Sequence, residues 1–151
     1  MELQRIIEQN RTNHYKLLVI VDNNQQHQKI IDLLKGDGWV AYDVNESILK
    51  IIKEIPKEKI KLRIGDQIKK WVKSLPEKII LYNTNILYSP ELGKLTPVGA
   101  FKYKARDREI ILFVEGHVSG NRIQYSTYGR EDHADMDVGE LIHVRLEDID
   151  A

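Results

Sequence analysis

Apolar positions along the chain follow two rhythms, one helical and one strand-like. Leu3, Ile6 and Ile7 recur at helical spacing within Met1 to Asn10, which predicts a short docking helix before the turn Asn10 to Asn13. Lys16 to Val21 (KLLVIV) is a continuous branched apolar run, the pattern of a strand buried on both faces of a parallel sheet. After Asp22-Asn23-Asn24, a helix with Ile30, Ile31 and Leu34 on one stripe runs to Gly36 and Gly38, and Trp39 to Val44 reads as a second strand. Ser47 is expected to cap a short helix carrying Ile48, Leu49, Ile51 and Ile52, which Pro56 ends. From Lys57 to Leu75 the residues Ile60, Ile64, Ile68, Trp71, Val72 and Leu75 form one stripe, with the lysines opposite. Lys78 to Tyr82 and Glu109 to Val114 read as third and fourth buried strands, and Ser89 to Lys104 as a short helix plus loop. Arg122 to Tyr125 and Leu141 to Leu146 are further strands, separated by the polar stretch Ser126 to Gly139.

Strands alternating with helices imply an α/β fold: a three-layer, mostly parallel sheet flanked by helices. A chain of 151 residues fits one such domain, with a core that needs no staples. In these sheets ligands sit at the carboxyl ends of the strands. Asp22 to Gln28, Asn45 to Ser47, Asn83 to Asn85 and Glu115 to Ser119 should therefore border one crevice.

Composition narrows the function. The chain is 42% hydrophobic and 30% charged, as globular proteins are, and no apolar run is long enough to span a bilayer. It contains no cysteine, which removes disulfides, thiolate metal sites and cysteine nucleophiles, and no secretory signal is evident; the expectation is a cytoplasmic protein. Formal net charge is zero, against general nucleic-acid affinity, but the charges are unevenly spread. Lys50 to Lys78 holds ten Lys or Arg against four acids, and Gly129 to Ala151 eight acids against two arginines. These runs are either an ordinary solvated helix and tail, or a basic face for a nucleic-acid backbone and an acidic face for a partner; such polarity also suits head-to-tail assembly.

The first strand-to-helix turn lacks the chemistry of a phosphate-binding loop. A P-loop places G-x-x-x-x-G-K-[ST] there, so that glycine N–H groups cradle phosphates, the lysine bridges them and the hydroxyl holds magnesium. Here the residues run Asp22-Asn23-Asn24-Gln25-Gln26-His27-Gln28-Lys29. Both glycine positions carry side chains, and Asp22 adds negative charge. Sliding one residue puts Lys29 in register but leaves Ile30 where the hydroxyl belongs. A magnesium-holding carboxylate is also missing from the third strand, which ends in Tyr82 and Asn83. ATP hydrolysis is not expected, nor any cofactor. Lys29 with the free N–H groups of the helix start is the remaining way to hold a phosphate.

Three segments, ILYNTNILYSPELGKLTPVGAFKYKARDREIILFVEGHV, IQYSTYGREDH and ELIHVRLED, resemble the BrxF family, small P-loop-type proteins of bacterial BREX phage-defence systems. The shared features are Ile86-Leu87-Tyr88, Pro90 and Leu92 in a turn, Arg106 and Arg108 in a basic step, and Gly116 after a strand. The second half matches closely, the first half only in the order of strands and helices. The resemblance implies an AAA-like or STAND-like nucleotide-binding fold acting beside other defence proteins. Because the family's P-loop positions do not carry over to Asp22 through Lys29, it implies a degenerate domain: a non-catalytic interaction or assembly subunit that docks a larger partner or self-assembles.

Other residues open further readings. Arg106, just before the fourth strand, is where AAA-type domains present an arginine to a neighbour's phosphate, or is a plain surface residue. Glu115, His117, Asp132, His133, Asp135 and Asp137 are metal-ligand types, but their spacing fits no metal signature, and no metal site is expected. Lys102, Lys104, Arg106 and Arg108, with Tyr82, Tyr88, Tyr103, Tyr125 and Tyr128, could grip single-stranded nucleic acid, or the tyrosines could close core edges. Two rivals to the interaction subunit therefore stand: a nucleic-acid-binding module using DNA or RNA contacts at these basic regions, and a nucleotide-binding switch without turnover at Asp22 to Lys29.

Overall fold

The computed structural model describes residues 2–126 and 129–150. Its centre is a parallel sheet of five strands in the order β2-β3-β4-β1-β8, built from β1 (Leu17–Val21), β2 (Val40–Asp43), β3 (Lys78–Tyr82), β4 (Glu109–Val114) and β8 (Ile142–Arg145). All five residues of β1 are buried, as expected of a strand covered on both faces.

Alternation along the strands divides the core. Leu18, Ile20, Ile80, Ile111 and Phe113 face α1 (Leu3–Arg11) and α2 (His27–Leu34), whose Leu3, Ile6, Ile7, Ile30 and Leu34 are buried with them. Leu17, Val19, Val21, Ile79, Leu81, Ile110, Leu112 and Val114 face α3 (Val44–Lys53), α4 (Ile60–Lys73) and α5 (Pro97–Phe101). Helices thus cover both faces of the sheet.

Two expectations about local structure need correction. Ser47 does not cap α3: the cap lies four residues earlier, where Asp43 Oδ1 accepts from the Glu46 N–H at 3.1 Å, and the Ser47 hydroxyl donates back to the Asp43 carbonyl at 2.9 Å. The polar stretch before β8 is not only loop. It contains β7 (Ala134–Asp137), which joins β5 (His117–Ser119) and β6 (Arg122–Tyr125) in a separate antiparallel sheet. Ile123, Ala134 and Met136 point into the core on the α3–α5 side, adding a small sheet to that layer.

Among the described residues no helix is long and apolar enough to cross a membrane.

Candidate functional site

Strand order fixes where a site can form. From β1 the chain crosses to β2 at one edge of the sheet, whereas from β4 it passes β1 to reach β8 at the other edge. The carboxyl ends of the adjacent β1 and β4 are therefore the topological switch point, where open α/β sheets bind ligands. A pocket of about 160 Å³ lies there, lined by Asp22, Gln25 and His27 after β1, Asn45 in α3, Asn83 to Ile86 after β3, Phe113 and Val114 on β4, and Glu115 just beyond it. The crevice read from the sequence exists: Asp22 to Gln28 and Asn83 to Asn85 line it with several residues, and Asn45 to Ser47 and Glu115 to Ser119 with one each, Asn45 and Glu115.

Its chemistry is that of acceptors and amides. Asp22 is only 5% exposed, and its Oδ1 accepts from the backbone N–H groups of Gln26 at 3.0 Å and Asn24 at 3.3 Å. The donors of the turn before α2 thus close on the chain's own carboxylate, in the place where a P-loop would present N–H groups to an anion. The other oxygen, Oδ2, is 3.7 Å from Nδ1 of His27, whose ring stacks on Tyr82 with centroids 4.6 Å apart. Asn23 locks the turn from outside: its side-chain amide donates to the Gly116 carbonyl at 2.9 Å, and its Oδ1 accepts from the Gly116 N–H at 2.8 Å.

The opposite wall is equally committed. Asn83, where a magnesium-holding acid would stand, adopts a left-handed backbone (φ 54°), and its amide donates to Asp43 Oδ2 at 2.8 Å. The Asn85 amide donates to Glu115 Oε2 at 2.6 Å, and the Thr84 hydroxyl to the Phe113 carbonyl at 2.7 Å. Tyr82 has its phenol pKa raised, first by partial burial and then by the nearby charges of Asp43 and Glu46. No lysine or arginine lines this pocket.

Lys29 is exposed and lines a neighbouring groove with Asp22, Asn24 and Gln26 of the turn and with Leu146, Glu147 and Ile149 of the C-terminal segment. Lys29 does not line the switch-point pocket itself, but its groove shares Asp22 with that pocket and reaches the turn whose N–H groups Asp22 holds.

The four basic residues at 102 to 108 lie before β4, at the amino end of the sheet, opposite the pocket. Lys102 Nζ sits 3.3 Å from Glu140 and over the rings of Tyr15 and Tyr103, at 5.1 and 5.7 Å. Lys104 donates to the Ala100 carbonyl and is half-buried, with its pKa lowered first by burial and then by Lys69. Arg108 donates to the carbonyls of Leu75 and Pro76 at 2.9 and 3.0 Å, tying the chain beyond α4 to the entry of β4. Arg106 is exposed.

The tyrosines divide similarly. Tyr88 is buried against Tyr125 in a parallel stack with centroids 3.7 Å apart, and burial, then Tyr125 and Glu115, push its pKa well above the ordinary value. Tyr103 is 66% exposed, and Tyr128 lies outside the described residues. The acids of the second sheet have partners: Arg122 sits 2.7 Å from Asp135 and 3.8 Å from Asp137 on the outer face, and Asp132 accepts from the Ser126 hydroxyl at 3.0 Å. Among the described residues no three His, Asp or Glu side chains gather in metal-ligating reach.

Comparison with protein families, curated proteins and solved structures returned no match.

Proposed function

We propose that this chain is a non-catalytic interaction or assembly subunit of an antiphage defence system of the BREX type, built on an AAA-like, P-loop-like scaffold whose nucleotide site is closed. It acts in the cytoplasm beside the other proteins of such a system and turns over no ATP. One observation carries the reading: Asp22, at the end of the first strand, takes the N–H groups of the turn that would otherwise meet a phosphate. A phosphate entering there would displace a buried carboxylate from its hydrogen bonds and then face its charge, an arrangement in which binding loses on both counts.

Size supports the same conclusion. At about 160 Å³ the pocket is smaller than the roughly 300–1,000 Å³ typical of small-molecule sites. Most of the family-like residues support a scaffold role, because their contacts are internal: Leu87, Tyr88 and Leu92 are buried, Arg108 clamps carbonyls, and a Cβ on Gly116 would lie 2.9 Å from the Gln124 carbonyl oxygen, whereas Arg106 is exposed.

The test is phage plating on cells carrying a complete BREX-type system, with the gene for this chain intact, deleted, or encoding Lys29→Ala. Deletion should change plating efficiency, and Lys29→Ala should behave as wild type. Restriction indifferent to deletion would refute a role in defence, and a Lys29→Ala protein that folds but fails like the deletion would refute the closed site.

A further inference from the structure

The two basic regions separated in sequence meet in space. α4 carries Lys61, Arg63, Lys69, Lys70 and Lys73 against a single acid, Asp66. Arg63, Lys69, Lys70 and Lys73 line one groove with Asp66 and Gln67, on the face opposite the buried Ile64, Ile68 and Val72. Arg108 donates to the carbonyls of Leu75 and Pro76, just beyond α4, at 2.9 and 3.0 Å, which joins the end of this helix to the segment before β4. There Tyr103 stands 66% exposed, beside Lys102 and edge-on to Tyr15 at 5.4 Å.

None of the α4 cations has a carboxylate within 4.0 Å among the described residues, as is true of most lysines and arginines of the chain; what sets this surface apart is that four of them gather in one groove. The favourable pull of the helix C-terminus accounts for cations in the last turn, such as Lys70 and Lys73, but not for Arg63 two turns earlier. Asp66 stands three or four residues from Arg63, Lys69 and Lys70, yet one acid among five cations leaves the helix a net excess of four positive charges. Such a face is stabilised by an external polyanion that neutralises several charges in a row.

We infer that the α4 groove and the neighbouring Tyr103 form a binding surface for single-stranded nucleic acid, with Arg63, Lys69, Lys70 and Lys73 on its phosphates and the Tyr103 ring stacked on a base. Arg63 to Lys73 spans about 15 Å of helix, along which the groove presents its four cations to a strand's phosphates. The exposed ring favours a single strand over a duplex, since only unstacked bases offer a face to it. The groove shares no lining residue with the closed pocket, so its failure would leave that pocket's reading intact.

Fluorescence anisotropy of a dye-labelled oligothymidylate, titrated with the full chain over a range of salt, tests this. Four phosphate contacts predict a slope of log K against log salt of about −3. Lys70→Gln with Lys73→Gln should reduce that slope by about 1.4, and Tyr103→Ala should weaken binding about tenfold at constant slope. Lys35→Gln, on the far side of the molecule, is the charge control and should change little. All the altered side chains are exposed, so an unchanged melting curve shows that each variant is folded. Absence of binding at low salt, binding insensitive to the α4 variant, tighter binding of a duplex than of the single strand, or an α4 variant that alters self-association instead would each overturn the inference.

Discussion

Asp22 holds the first turn by the same bonds that would bind an anion there. Its Oδ1 satisfies two backbone donors ahead of α2, a helix that has no side-chain cap at Gln26. Removing it exposes those donors without providing a partner, so Asp22→Ala should cost about 1–2 kcal/mol of stability in urea denaturation, as loss of a capping acceptor does. Tyr88 makes a second prediction at this scale. Burial keeps its phenol protonated in the folded chain above the ordinary pKa of about 10, while the unfolded chain ionises there. Above about pH 10 the unfolded state therefore binds fewer protons, and stability falls as pH rises, by up to about 1.4 kcal/mol per pH unit from this group. Tyr88→Phe should flatten that alkaline decline in a thermal-midpoint series, and a decline unchanged in the variant would assign it to other groups.

At the scale of elements, long apolar rhythms were legible and short ones were not. The residues of β3, β4 and β6 coincide with their expected spans, and α4 follows its stripe, because each of these segments buries an uninterrupted or regularly spaced apolar set. β7 was hidden by its own solvent face. In Ala134-Asp135-Met136-Asp137 the inward residues are small or flexible, and the outward aspartates, which meet Arg122, read as an acidic loop. Strict alternation over four residues was the available signal, masked by charge. The crevice was legible because strand ends define it. The side-chain bonds that close it were not, since Asn23 with Gly116 and Asn85 with Glu115 join residues distant in sequence. Gly116 makes the consequence testable. A Cβ there would lie 2.6 Å from the Ile123 side chain and 2.9 Å from the Gln124 carbonyl oxygen, and a backbone atom in a paired strand yields little. Gly116→Ala should destabilise the fold by about 1–3 kcal/mol, as overpacking does, and loosen the Asn23 contact.

Taken as a whole, the molecule keeps its two chemistries at opposite ends of one sheet. The carboxyl ends carry Asp22, Asp43 and Glu115 among amides. The amino ends carry the Lys102 to Arg108 segment and receive the basic last turn of α4. A zero net charge conceals this division. The closed pocket remains the central claim. Its most direct test is the thermal midpoint of the purified chain with and without saturating ATP and magnesium. A ligand at a hundred times its dissociation constant stabilises the native state by about 2.7 kcal/mol, which for a chain of this size is a rise of several degrees. The closed turn predicts no rise; a rise that disappears in Lys29→Ala would contradict it and restore nucleotide control to this fold.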